Sequence, residues 1–182
     1  LMQIVAATGA TIVHPYNNFQ VIAGQGTAAK ELIEAVGQLH IVMCPVGGGG
    51  LLSGTALSAK ALLPGCKVVA AEPVGADDAC RSFREGHIVP SVNPKTIADG
   101  LLTSLGEMNF PIIQQYVDDI VTVSEEAIVE AMRLVWERMK IIIEPSSAVP
   151  LAALLENKVN ISGLKVGIIL SGGNVDLKKL PF

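Results

Sequence analysis

Aromatic side chains are scarce in this chain of 182 residues, at 4%. Charged residues are also few, at 16%, and the net charge is −4. Binding to a phosphate backbone or an anionic lipid surface needs clustered Lys and Arg, so neither nucleic acid nor membrane is an expected partner. Cysteine occurs three times, as Cys44, Cys66 and Cys80. That odd number, at no metal-ligand spacing, reads as reduced thiols of a cytoplasmic chain, with Cys44 and Cys66 as small core residues. No basic segment followed by an apolar one opens the sequence, so no secretory signal is expected. The longest stretch free of Asp, Glu, Lys and Arg, Ala35 to Ala59, contains His40, Pro45 and four consecutive glycines. It would make a poor membrane-spanning helix.

Apolar residues make up 50% of the chain, and the mean hydropathy is +0.49. That apolar content is Ala, Val, Ile and Leu, and with 18 glycines it suits an α/β protein with buried parallel strands. The segments alternate accordingly. Strands are expected at Thr11–His14, Leu39–Val46, Lys67–Ala71, Asp119–Val123 and Lys165–Leu170. Helices are expected at Gly26–Val36, Leu51–Leu63, Asp77–Glu85, Glu125–Met139 and Ser146–Leu155, with Ser124 capping the long one. Leu1 to Gly9 reads as the last turns of a helix with Gly9 as its C-cap, so a fragment or a processed chain is expected. The predicted fold is a mainly parallel twisted sheet with flanking helices, incomplete at its amino-terminal side. In such sheets ligands gather beyond the carboxyl ends of the strands.

The glycine run Gly47, Gly48, Gly49 and Gly50, followed by Leu51, sits after an apolar strand and opens a helix. Four glycines in a row cost backbone entropy, and bare N–H groups at the positive end of a helix suit a phosphate. A tight turn alone would need fewer. A dinucleotide fold is a rival, because Gly48, Gly50 and Gly54 form a loose fingerprint and Glu72 ends the next strand. Ser171, Gly172 and Gly173 follow the last strand, either as a hydroxyl at the ligand edge or as a turn before a C-terminal helix. Glu72 and Asp78 flank a Pro/Gly turn. They suit a hard divalent cation, though Asp77 and Asp78 equally suit a helix N-terminus. Glu144 precedes Pro145, as a helix-start acid or as a carboxylate near a cofactor. The histidines suggest no catalytic arrangement.

Taken in order, several stretches resemble one family. They are Ile22-Ala23-Gly24-Gln25-Gly26-Thr27, Pro45 to Leu51, Ala71-Glu72-Pro73 with Ala76-Asp77-Asp78, Thr96 to Gly100, Val135 to Lys140, Glu144-Pro145 and Ser171 to Asp176. The chain is similar to the carboxyl-terminal part of fold-type II pyridoxal-phosphate enzymes, the serine racemase and serine/threonine dehydratase family. The resemblance implies pyridoxal 5′-phosphate, held by Gly47, Gly48, Gly49, Gly50 and Leu51 at its phosphate. Ser171 would lie at the ring nitrogen, with Gly100 and Glu144 beside the ring. It implies Mg²⁺ or Ca²⁺ on Glu72, the Ala76 carbonyl and Asp78. Less directly, it implies an ATP effector near Lys140 and Asn174 at a dimer interface. Residues 1–17 would finish a small domain, and 18–182 would form most of the large one.

None of the chain's lysines has the context of the family's Schiff-base lysine, and the opposite-face serine also lies upstream in that family. The implied activity is racemisation or dehydration of serine, threonine or hydroxyaspartate through an external aldimine and Cα deprotonation. Both proton-transferring groups would come from elsewhere, on a complementary amino-terminal chain or within a homo-oligomer. A noncatalytic binding module is the alternative.

Overall fold

Four parallel strands form the centre of the structure, a computed structural model that describes residues 1–182. They are β1 (Ile41–Pro45), β2 (Lys67–Pro73), β3 (Asp119–Val123) and β4 (Val166–Ile168), in the order β3-β2-β1-β4. Register pairs Ile41 with Lys67 and Val166, and Val69 with Asp119. All five residues of β1 are buried, as a strand covered on both faces requires.

Helices cover both faces. On one side Val42, Cys44, Val68, Ala70 and Ile120 point into a core shared with α2 (Phe19–Val36), α3 (Gly50–Leu62), α4 (Asp78–Glu85) and α5 (Asn109–Tyr116). On the other side Met43, Val69, Ala71 and Val121 meet α6 (Glu125–Leu134) and α7 (Pro145–Leu155). The period-two alternation along β1 and β2 divides the apolar residues between the two cores. A first short helix, α1 (Met2–Thr8), buries no residue and ends at Gly9 in the left-handed conformation, φ 69°.

The expected α/β class and parallel sheet are present; several local expectations are not. Thr11–His14 forms no strand, and Val13 is 65% exposed. It has apolar residues but no neighbouring strand to pair with. Helix α2 begins at Phe19, seven residues before the expected start at Gly26. Asn18 caps it by accepting from the N–H groups of Gln20 and Val21. Gly26, inside α2, serves packing. A Cβ on Gly54 of α3 would collide with the Gly26 nitrogen and the Ile22 carbonyl of α2, so the two helices touch backbone to backbone.

The expected helix Glu125–Met139 is α-helical only to Leu134. A π turn, Val135–Met139, follows, and Lys140 ends it at φ 60°. Ser124 does cap α6, through the Ala127 N–H. Helix α5 was not foreseen. Its Pro111 sits in the first turn, where a missing N–H removes no helical bond. No helix follows Gly173. No helix of the chain is long and apolar enough to cross a membrane.

Candidate functional site

The chain runs outward from β1 through β2 to β3, then returns to the other side of β1 as β4. The strand order therefore reverses between β1 and β4, and in open α/β sheets the crevice at such a point takes ligands. A cavity of about 380 Å³ opens there, at the carboxyl ends of both strands. Gly47 to Leu52 line it from the β1 side and Ser171 from the β4 side. Gly100, Glu144 and Ser146 complete the wall. No lysine lines it. A larger cavity, about 730 Å³, lies at the opposite edge beside Ile41, Lys67 and Asp119, the amino ends of the strands. Asp118, paired with Lys60 at 2.7 Å, lines it, but none of the loops that follow strands do.

The glycine loop has the chemistry of an anion bed. The N–H groups of Gly47, Gly48, Gly49, Gly50, Leu51 and Leu52 meet no acceptor in the chain. Buried N–H groups are nearly always paired, and here they converge on a helix start whose dipole is positive. Gly49, the N-cap of α3, stands at φ 90° and has no capping side chain; only glycine adopts that backbone readily. These donors fit a phosphate. The bed is covered on one side, because the Tyr16 ring lies so close over Gly48 that a Cβ there would fall within it. His14 holds this turn: its Nδ1 accepts from the N–H groups of Asn17, at 2.9 Å, and Tyr16, at 3.4 Å. His14 thus builds the site although nothing in the sequence pointed to it.

Across the cavity the Ser171 hydroxyl lies 3.3 Å from that of buried Ser147, whose oxygen accepts from the Gly172 N–H at 2.8 Å. Ser147 was not anticipated. Glu144 stands at the N-cap of α7, as one of its two readings required, and it also borders the cavity. Its Oε2 accepts from the Asn174 N–H at 2.9 Å. The Gly100 N–H donates to Ser146 Oγ at 3.1 Å. A Cβ on Gly100 would sit 2.9 Å from that oxygen, so glycine lets this segment approach α7. Lys140 and Asn174 are both exposed. The segments that carry them run side by side, joined by the Glu144 N–H to Gly172 carbonyl bond of 3.0 Å.

Glu72, Ala76 and Asp78 cluster at the carboxyl end of β2. Glu72 is 1% exposed. Its carboxylate accepts from the Cys80 N–H at 2.6 Å and the Ala79 N–H at 3.3 Å. Glu72 does not line the cavity beside the glycine loop, which counts against the dinucleotide reading. Burial pushes the Glu72 carboxyl up to about 8, against the pull of the Cys80 N–H and helped by neighbouring Asp78. Burial likewise pushes Asp78 up to about 6. Asp78 Oδ2 is buried without a partner, and the Ala76 carbonyl accepts no hydrogen bond. Unmet acceptors of this kind suit a cation with oxygen ligands. Nowhere do three or more His, Cys, Asp or Glu side chains gather as a metal cluster, so the set rests on two carboxylates and one carbonyl.

Known proteins resemble this chain in sequence and fold. A family model described as "Pyridoxal-phosphate dependent enzyme" matches residues 1–172. A β-hydroxyaspartate dehydratase of Paracoccus denitrificans is 51% identical over 99% of this chain and 57% of its own length. A serine racemase of Dictyostelium discoideum is 54% identical over 98% of this chain and 56% of its own. The crystal structure of serine racemase from that organism superposes with a TM-score of 0.91, covering 97% of this chain and 57% of the other. The chain thus spans little more than half the length of the curated relatives it matches.

Proposed function

Since this chain belongs to the family of pyridoxal-phosphate-dependent enzymes, we propose that it provides the phosphate bed, ring anchor and cation site of an amino-acid racemase or β-hydroxyamino-acid dehydratase. Serine, threonine and 3-hydroxyaspartate are its substrate class, the kind named by its relatives. The observation that carries this reading is the row of unmet N–H groups from Gly47 to Leu52, facing the Ser171 hydroxyl across the switch-point crevice. A flat ligand with a dianion at one end and a ring nitrogen at the other fits both.

Pyridoxal 5′-phosphate, when bound, supplies the electron sink that makes the Cα proton of an amino acid removable. The chain's own groups position and bias that chemistry. The glycine loop and Leu51 hold the phosphate through main-chain N–H groups, with the start of α3 behind them. Ser171 would donate a hydrogen bond to the ring nitrogen while keeping its proton. A neutral hydroxyl leaves that nitrogen uncharged, where a carboxylate would protonate it. Gly100 and Glu144 border the ring. Glu72, the Ala76 carbonyl and Asp78 take Mg²⁺ or Ca²⁺, relieving the burial of the two carboxylates. Lys140 and Asn174 form an exposed pair for the phosphates of a nucleotide such as ATP.

The Schiff-base lysine and the second proton-transferring group come from outside this chain. Residues 1–17 belong with a smaller domain, and 18–182 with the large one. Exposed apolar residues such as Val13 and Phe19, at 65% and 62%, support a covering chain segment or subunit.

The test is an assay of racemisation and of ammonia release from serine, threonine and 3-hydroxyaspartate. It compares the chain alone with the chain joined to the upstream segment of its relatives. Turnover is expected only with that segment. No turnover in either form, despite cofactor binding, would leave a binding module. Turnover by the chain alone would refute the placement of the lysine elsewhere.

A further inference from the structure

We propose that Asn109 is the positioning residue of the glycine bed, holding the Gly48 carbonyl out of the cavity so that the Gly49 N–H points into it. The proposal rests on the phosphate reading above and assigns that reading a residue it lacked.

Asn109 begins α5 and is fully buried. Its Nδ2 donates to the Gly48 carbonyl at 2.9 Å and to the Tyr16 carbonyl at 3.0 Å. The Gly106 N–H donates to the same Gly48 oxygen at 3.0 Å. Two donors on the α5 side therefore fix the direction of that carbonyl. The peptide is planar and trans, so the N–H of Gly49 points the opposite way. Gly48 and Gly49 both line the cavity. A peptide flip would instead place a carbonyl oxygen against the phosphate.

The amide sits in a fitted slot. A Cβ on Gly106 would fall 2.7 Å from Asn17 Oδ1 and 2.8 Å from Asn109 Nδ2. Asn17 Oδ1 in turn accepts from the Met108 N–H at 2.9 Å. One side chain thus ties together the turn bearing Tyr16, the glycine bed and the start of α5. Asn109 Oδ1 has no partner. Turning the amide over would set that oxygen against two carbonyls, so the network itself assigns the nitrogen to them.

Inorganic phosphate, pyridoxal 5′-phosphate and unphosphorylated pyridoxal are titrated into the unaltered chain, Asn109→Ala and Gly106→Ala. The last keeps the amide but crowds it from its slot. Losing a hydrogen bond that orients a donor to an anion should weaken binding of both phosphate ligands by about tenfold. Pyridoxal binding should stay unchanged. Val117→Ala, which loosens the far end of α5 without touching the amide or the glycine bed, should bind all three normally. In the unaltered chain, the Gly49 amide proton should shift downfield as phosphate is added, followed by NMR.

Folded variants with full phosphate affinity overturn the role of Asn109, as does equal loss of pyridoxal and phosphate. A Gly49 amide that does not respond while phosphate binds overturns it without any variant. If the unaltered chain binds neither phosphate nor its pyridoxal ester, the phosphate reading itself falls.

Discussion

Ser147 Oγ and Ser171 Oγ lie 3.3 Å apart, and Ser147 Oγ also accepts from the Gly172 N–H at 2.8 Å. Where Ser147 in turn donates a hydrogen bond to Ser171, the hydroxyl hydrogen of Ser171 stays unused. Ser171, at the cavity edge, is left as a donor toward whatever lies in front of it. An unprotonated ring nitrogen is the acceptor that suits it. Ser171→Ala should therefore weaken cofactor binding by about 1 kcal/mol, the net worth of one such bond. Ser171→Asp should move the absorbance of the bound cofactor by protonating the nitrogen. Equilibrium titration followed in the visible range checks both. A Ser171→Ala protein with unchanged affinity and spectrum would show that the hydroxyl does not meet the ring.

Two helical glycines should behave oppositely. A Cβ on Gly24 meets nothing within 4 Å, so Gly24→Ala should stabilise α2 by about 0.5–1 kcal/mol through lost unfolded-state freedom. A Cβ on Gly54 collides with the Gly26 nitrogen and the Ile22 carbonyl. Backbone cannot step aside as a side chain can, so Gly54→Ala should destabilise by about 1–3 kcal/mol. Urea midpoints at constant m-value give both numbers. Equal effects would contradict the close approach of α2 and α3.

This pair also shows what the sequence could and could not reveal. The strand Asp119–Val123 was legible to the residue, because its apolar run is bounded by charge on one side and a capping serine on the other. The glycine loop was legible because four glycines demand a local reason. Helix α2 was misjudged at its start, since Gly24 and Gly26 look alike in one dimension. Only Gly26 faces another helix. Thr11–His14 had strand-like residues without the partner that makes a strand. Asn109, His14 and Ser147 were invisible as site residues. Each acts through contacts made only in the fold, and Asn109 reaches Gly48 from 61 positions away.

The three thiols should be inert in the native state. Cys44, Cys66 and Cys80 are buried and unpaired. Burial pushes the Cys44 thiol up to about 12 and raises those of Cys66 and Cys80. The thiolate is the reactive form, so labelling by a thiol reagent near neutral pH should proceed at the rate of unfolding. Mass spectrometry should show no label in native buffer and three labels in denaturant. Rapid capture of one cysteine in the folded protein would place a solvent path to it that the packing lacks.

Stability should fall as pH rises, with the carboxyl end of β2 as its source. Glu72 is raised from an ordinary value near 4.5 to about 8, and Asp78 from 3.8 to about 6. The fold thus favours the protonated acids. Their contribution is full below the unfolded-state values and is lost as pH climbs through about 6 and then about 8. The slope can reach about 1.4 kcal/mol per pH unit for each proton released. A divalent cation held by Glu72, Asp78 and the Ala76 carbonyl prefers the charged carboxylates, so added Mg²⁺ or Ca²⁺ should flatten or reverse that slope. Glu72→Gln should remove most of both effects. Urea unfolding across this range, with chelator and with either cation, tests the pair. A chelated protein whose stability is level with pH would sink the burial account. A slope that ignores the cation would sink the metal site alone.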